Sequence, residues 1–582
     1  MSNLIKKHWF IVPLALIFGL AIVFPTVFSV MEAGRSFRGI YPTMNDDEQY
    51  YLGTTREVYK GHYNSGNPFI KELKNKPSLT QSLSEIILSG EAKLFGFSVP
   101  KTFAINDFIL PFLGVILLYA LFFNITKSRT ISAVSSSVFF LVFLNTFGRP
   151  ISPQFNFIFF IYGLLLLWKI FSKDYDFKTS ATLNVSLAVI FGCLVYIYPF
   201  YWSTIIVLYV VNSLILAVWQ KNFRYWIKNW MIFGVVSVLI ALPYALNLLK
   251  SVADPSFAEA SLRNGFIFTH RPGAFVNVAL LGFCLPVLFL IRKDFIEKRK
   301  LFFGYSLILS GIILNWQNII TGKGLQFSSH YYMVTILFVF LVIAICAESL
   351  SEYFVKYKKF DFKKASVIFL MAVLLFFIFY RQKREIFTFA NFVHPSEISD
   401  IQNSMIIADW LNKNTAQDSV VYALGQNYDL LLPVYTHNSS YWQTYAGMYL
   451  MSDDELENRW VIQNFFEDIK RDDVYGNRGI WINKFIDTYQ SKESRRKILQ
   501  FITGKKYPET VLMEQKYVDV VLDKYAKFKK EGFEKALKTY KADYVLVDFG
   551  DEKYKNLENK FKQYTFLNLS ATLGSVSIFK VK

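Results

Sequence analysis

The sequence predicts an α-helical polytopic membrane domain of about eleven spans, followed by a C-terminal α/β domain. Two observations predict the first part. Of the 582 residues, 53% are hydrophobic and 18% aromatic, a balance rare in a soluble chain of this length. The apolar residues also fall in blocks of roughly 16–22, the length that crosses a bilayer core. A third observation predicts the second part: beyond Tyr380 the composition turns mixed and globular. The membrane domain is therefore expected over residues 1–380 and the soluble domain over 381–582.

The first span runs from about Trp9 to Val30. Lys6-Lys7-His8 ahead of it resembles the start of a signal sequence. The run is long for one and no small-x-small site follows, so an uncleaved anchor is expected. Further spans are expected at 107–124, 132–147, 155–171, 182–199, 202–219, 231–249, 274–291, 302–320, 331–347 and 365–380. Tyr198-Pro199-Phe200-Tyr201-Trp202 reads as a tight, aromatic turn at a membrane interface. Lys and Arg set the orientation. With the N-terminus inside, the short inner loops carry 19 of them and the short outer loops five. Positive charge marks the cytoplasmic side, so loop 31–106 and residues 381–582 are both expected outside the cytoplasm. The localisation implied is a multi-pass plasma or inner membrane protein.

Loop 31–106 carries two helical patterns, expected to lie on the outer leaflet. One covers Asp46 to Lys60. The other has Leu79, Leu83, Ile86, Ile87, Leu94 and Phe95 on a stripe of period near 3.6, with Ser78 and Gln81 as a capping box. In the C-terminal part a helix is expected over Ile398–Leu411. Strands are expected at Ser419–Leu424, Leu430–Tyr435, Ala542–Asp548 and Gly574–Val581. Charged helices are expected at Ser452–Arg471 and Met513–Lys538.

The net charge of +18 invites a nucleic-acid reading. Its placement in loops between apolar spans explains it by topology instead, and no nucleic-acid partner is expected. Cys193, Cys284 and Cys346 all lie inside apolar runs, which excludes a cysteine metal site and leaves no disulfide to expect. No GxGxxG, Walker or GxSxG motif is present.

The chemistry points to Asn45-Asp46-Asp47-Glu48, just after the first span. Carboxylates held against a bilayer are costly unless paired or used. Tyr51 lies one helical turn beyond Asp47, on the same face. The same side of the membrane carries Arg56, Arg149, His270, Arg271, Lys323 and His330. Carboxylates beside cations suit transfer of a sugar from a polyprenyl phosphate. A carboxylate deprotonates an acceptor hydroxyl, and a cation stabilises the departing phosphate. Asp47 is expected as the base, with Asp46 as the competing register and Glu48 beside them. Arg149, His330, Lys323, Arg271, His270, Tyr51 and Arg56 are the candidates for substrate and carrier phosphate. Each has a plainer reading. Asp46 could cap the following helix, and outer-loop cations and aromatics are common interface anchors. No cofactor is called for by these residues. The acidic cluster leaves a divalent metal open without indicating one.

The chain resembles the GT-C membrane glycosyltransferases, which include the protein O-mannosyltransferases and the lipid A aminoarabinose transferases. The resemblance rests on Asp47-Glu48 and Tyr51 soon after the first span. It extends through Gly61-His62-Tyr63, Asn67-Pro68-Phe69, Lys93-Leu94-Phe95-Gly96-Phe97-Ser98 and Arg149-Pro150. It implies an inverting glycosyltransferase with a polyprenyl-phosphate-linked donor and Asp47 as base. The partners implied are that lipid-linked donor, membrane lipids, and an acceptor glycan, lipid or protein. Two other classes stand beside it. A transporter or flippase for a lipid-linked substrate predicts charges at the bilayer midplane, and the spans here are nearly free of them. A non-enzymatic envelope-assembly protein predicts that the acidic cluster is expendable.

Overall fold

The computed structural model describes residues 7–43, 46–64, 66–79, 83–324, 330–358, 401–425 and 428–582. It has a polytopic helical part followed by a C-terminal α/β part. Among the described residues, eight helices are long and apolar enough to cross a membrane, and Arg129–Val142 and Phe275–Phe289 are shorter apolar helices. These ten account for the first ten expected spans. The eleventh, 365–380, lies outside the described residues.

Local chemistry sets where the helices start and stop. Ser98 caps Val99–Thr126, Asp176 caps Phe177–Val195 and Asn222 caps Phe223–Val252, each by accepting a backbone N–H of the first turn. Pro199 opens Pro199–Gln220 at a position where a missing N–H costs nothing. Gly322 ends Lys298–Thr321 at φ +67°, with the His270 ring packed against it. A Cβ there would stand 2.7 Å from His270 Nε2. Val99–Thr126 and Phe223–Val252 run past the expected spans because polar first and last turns continue the helix, while the expected 132–147 is divided into Arg129–Val142 and Leu144–Phe147 and the expected 182–199 ends at Val195.

Loop 31–106 folds into the Asp46–Tyr59 and Leu83–Phe95 helices, as its two patterns predict. The described part of the second begins at Leu83. Gln81 lies outside the described residues, and the Ser78 carbonyl accepts from Asn247 Nδ2 (2.6 Å) and Ser251 Oγ (3.0 Å) on the Phe223–Val252 helix.

Two short strands, β1 (Ile267–Phe268) and β2 (Lys323–Gly324), pair antiparallel between helices of the membrane part. The C-terminal part holds β3 (Val420–Leu424), β4 (Ser439–Ser440), β5 (Tyr544–Asp548), β6 (Leu567–Leu573) and β7 (Val576–Val581). They form one sheet in the order β4-β3-β5-β7-β6. β3 is parallel to β4 and β5, while β7 is antiparallel to β5 and β6. Alternation along β3 divides the core. Val420, Tyr422 and Leu424 face Trp460, Val461 and Phe533, whereas Val421 and Ala423 face Ile407, Leu411 and Leu431. One expected strand is a helix: Leu430–Tyr435 lies within the Tyr428–Tyr435 helix. A short continuous apolar run fits a buried strand or a buried helix equally well. Three consecutive leucines, unbranched at Cβ, favour the helix.

Loop 31–106 and the C-terminal part pack together. Gln402 receives the Arg38 N–H (2.8 Å) and donates to the Ile40 carbonyl (2.7 Å). Asn67 Nδ2 donates to the Ala446 carbonyl (3.0 Å), and Phe69, Ile70 and Leu73 share a core with Tyr449, Met451 and Leu456. Buried Glu57 pairs with Lys60 (2.8 Å) and Lys74 (3.0 Å), and Lys74 reaches on to Asp418 (2.6 Å). Burial works to raise the Glu57 carboxyl, but the two lysines overcome it and hold it at about 2. Fully buried Arg263 donates to the Gly447 and Met451 carbonyls and to Asp453.

Candidate active site

Three elements meet at the end of the first span. The Asp46–Tyr59 helix supplies Asp47 and Tyr51. An irregular turn, Pro150–Phe155, precedes the Asn156–Ser172 helix and carries Arg149 at its start and Ser152 within it. Ser152 has extended backbone angles (φ −119°, ψ 111°) that break the helical path. The third element is the pair of helix starts at Tyr198-Pro199 and His330-Tyr331.

Arg149 and Asp47 form an ion pair, with side chains 30% and 40% exposed. The pair is therefore reachable from solvent. Arg149 also hydrogen-bonds the Tyr51 hydroxyl. Its Nε is a buried donor with no acceptor among the described residues. The Tyr51 and Tyr198 hydroxyls each share a hydrogen bond with Ser152. His330 Nδ1 meets the Tyr198 hydroxyl, and the two rings lie stacked 5.9 Å apart. Burial pushes the Tyr51 phenol up to about 12 and the Tyr198 phenol higher still, so both are neutral donors. Burial, with the nearby Arg149 charge second, pushes the His330 imidazole down to about 4. His330 is then a neutral hydrogen-bonding ring at pH 7, and the positive charge of the site comes from Arg149.

The Glu48 carboxylate faces elsewhere. One step along a helix turns a side chain by about 100°. Glu48 accordingly lines a cleft with Thr26, Tyr41, Leu52, Asp107 and Pro150. Asp107 accepts from Gln154 Nε2 (2.9 Å), which also donates to the Phe147 carbonyl (3.0 Å). The Gln154 backbone N–H closes the turn on the Arg149 carbonyl (3.3 Å). Asp46 opens the helix that carries Asp47.

The other expected site residues stand apart. Arg56 is nine residues beyond Asp47, about 13 Å along the helix, stacked over Tyr59 at 5.2 Å. Its Nε is also a buried donor without an acceptor among the described residues. His270 Nδ1 donates to the Ile319 carbonyl (2.9 Å), and Lys323 pairs with Phe268 across β1 and β2. Asn318 Nδ2 donates to the Arg271 carbonyl (2.7 Å), and Gln317 Nε2 to the Lys323 carbonyl (2.8 Å). Among the described residues, no hydrogen bond or ion pair joins His270, Arg271 or Lys323 to Asp47 or Arg149.

Three groups at the site escape the sequence reading. Tyr198 reads there as a belt aromatic, and Ser152 sits in a turn with no periodic signal. Glu85, in the Leu83–Phe95 helix, acts electrostatically on Tyr51, and burial pushes its carboxyl up to about 7. A carboxylate interrupting an apolar interfacial stripe is the signal that marks it. Among the described residues, no group of three or more His, Cys, Asp or Glu could hold a metal ion.

No protein-family model matches the chain, and no curated protein sequence matches it. A solved structure, ArnT from Cupriavidus metallidurans in the apo state, aligns over 96% of this chain and 97% of that one, with 12% identity and a TM-score of 0.44. A likeness at this level assigns neither activity nor residues.

Proposed function

We propose that the chain is a membrane glycosyltransferase of the GT-C type, transferring a sugar from a polyprenyl-phosphate donor to an acceptor hydroxyl. The reading rests on one observation above all: the solvent-reachable Asp47–Arg149 pair at the end of the first span. Base and oxyanion partner stand side by side there. In this reading Arg149 holds Asp47 at rest, and the carrier phosphate competes for the same guanidinium. Its Nε, a buried donor with no acceptor among the described residues, supplies a second donor for bidentate binding of that phosphate. Asp47, released, takes the proton of the acceptor hydroxyl. The acceptor oxygen bonds to the anomeric carbon from the face opposite the carrier. The carbon–phosphate-oxygen bond breaks and its electron pair leaves with the phosphate, so the configuration inverts. Tyr51 and Tyr198 donate to sugar or phosphate oxygens, and His330 orients Tyr198. Loop 31–106 and the C-terminal domain, residues 381–582, work on the extracytoplasmic face of the plasma or inner membrane.

The test is release of polyprenyl phosphate by the full chain in lipid nanodiscs, across a panel of polyprenyl-phosphate sugars and hydroxyl acceptors. Asp47→Asn keeps the shape and removes the charge. It should leave donor binding near normal and abolish release. If only Asp46→Asn abolishes it, the register moves by one. Full activity in both variants would sink the mechanism.

A further inference from the structure

The Ile486–Thr503 helix has no buried residue along its 18 positions. Near its end Ile498, Phe501 and Ile502 fall at helical spacing on one face, and they are 44%, 91% and 71% exposed. Val511, on the segment that follows, is 66% exposed. Glu493, by its bond to Thr510, ties that segment back to the helix. Between residues 486 and 506 the chain carries six basic and two acidic side chains. Arg496 and Lys497 both pair with Glu493 (2.6 and 3.7 Å), while Lys492, Arg495, Lys505 and Lys506 lie in the same stretch as the apolar tip. A free helix face that is basic and tipped with Phe and Ile carries the chemistry of a membrane-surface element.

The segment just before this helix touches the connection between two neighbouring spans. The Asn483 N–H donates to the Arg263 carbonyl (3.2 Å), three residues before the helix begins. Arg263 stands between the end of Phe223–Val252 and β1. β1 pairs with β2, which begins two residues after Thr321, the end of Lys298–Thr321. Phe268 and Ile320 beside that ladder are 74% and 88% exposed.

We infer that the Ile486–Thr503 helix docks on the anionic lipid surface of the leaflet next to the C-terminal domain, with Ile498, Phe501 and Ile502 entering the interface and the flanking Lys and Arg contacting lipid phosphates. The experiment uses the full chain with Cys193, Cys284 and Cys346 replaced by Ala. A nitroxide is placed at Phe501→Cys, with Ser570→Cys on exposed β6 as the aqueous control. Both are read in nanodiscs of phosphatidylglycerol and of phosphatidylcholine. The expected result is collision with lipid-soluble oxygen at 501 in phosphatidylglycerol, several-fold over collision with an aqueous nickel chelate. That preference should be lost in phosphatidylcholine and in the Lys505→Glu/Lys506→Glu variant. The control should collide with nickel throughout. Nickel access at 501 in both lipids overturns the proposal. Equal lipid exposure in both overturns the anionic assignment. Dipolar broadening that appears only with two copies per disc assigns the face to a second copy instead, and shielding from both reagents assigns it to packing on the chain itself.

Discussion

Arg149 is the residue on which the site turns, because Asp47 and Tyr51 both meet its guanidinium and one of its donors has no acceptor among the described residues. In the proposed reaction it meets a phosphate that gains charge as the bond breaks. Arg149→Ala should therefore cost on the order of 2–4 kcal/mol of transition-state stabilisation, the loss seen when one oxyanion donor is removed. Arg149→Lys should recover little of it, since an ammonium cannot reproduce the planar fork. The measurement is kcat/KM for carrier release, and unchanged values in both variants would remove Arg149 from the mechanism. Glu85 offers a pH-dependent check of a different kind. Its folded pKa is raised to about 7 by burial, above the ordinary carboxylate value. A raised carboxyl pKa means the folded chain holds the proton more tightly than the unfolded chain does. Stability is then undiminished below about pH 4 and falls as pH rises through 7, reaching its full loss above that. Glu85→Gln should melt with the parent chain near pH 4.5 and above it at pH 8. A constant gap across that range would mean that Glu85 does not titrate there.

The Pro150–Phe155 turn is the element that brings these residues together. Its shape is fixed from below by Gln154, 1% exposed, whose amide bridges Asp107 and the Phe147 carbonyl. Gln154→Leu keeps the volume but leaves the buried Asp107 carboxylate without that donor. Losing a buried hydrogen-bond partner in this way costs about 1–3 kcal/mol. The variant should melt below the parent chain. If Gln154→Leu melts with the parent, the turn is held by other contacts. How much of the site the sequence disclosed depended on which kind of element carried each residue. Asp47 and Tyr51 were legible because helix geometry fixes the relation of positions four apart. Ser152 and Tyr198 were not, because the backbone of an irregular turn leaves no periodic trace and because Tyr198 looks like any interfacial aromatic. The Leu430–Tyr435 helix was misread for a related reason: six residues are too few to separate period 2 from period 3.6. Lys323, Arg271 and His270 are expected on the same side of the membrane as Arg149, but sidedness alone carries no distance.

Across the whole molecule, the membrane part and the C-terminal sheet are joined through loop 31–106 and the segment around Arg263. Arg263 is fully buried and gives its donors to Gly447, Met451 and Asp453, while Lys484 holds the other oxygen of Asp453. Arg263→Met leaves Asp453 with Lys484 but strands two backbone carbonyls. The expected loss is on the order of 3 kcal/mol, read as a lower melting temperature in detergent. Asp418→Asn, at the partly exposed Lys74 pair, should cost under about 1 kcal/mol. These joints also constrain topology. Asn67 bonds Ala446, the Tyr50 and Tyr449 hydroxyls meet at 3.0 Å, and Ser440 N–H donates to the Phe69 carbonyl (3.2 Å). Two segments in such contact must lie on one side of a bilayer, and the excess of Lys and Arg in the opposite loops predicts which side. Tyr63→Cys, 56% exposed, serves for the loop and Ser570→Cys for the sheet. In intact cells both should react with a membrane-impermeant maleimide to the same extent. Labelling of one without the other would contradict the packing of the two halves. Labelling of neither until the cells are opened would keep the packing and invert the orientation, which would put the Asp47–Arg149 site on the cytoplasmic face and remove the extracytoplasmic part of the proposed function.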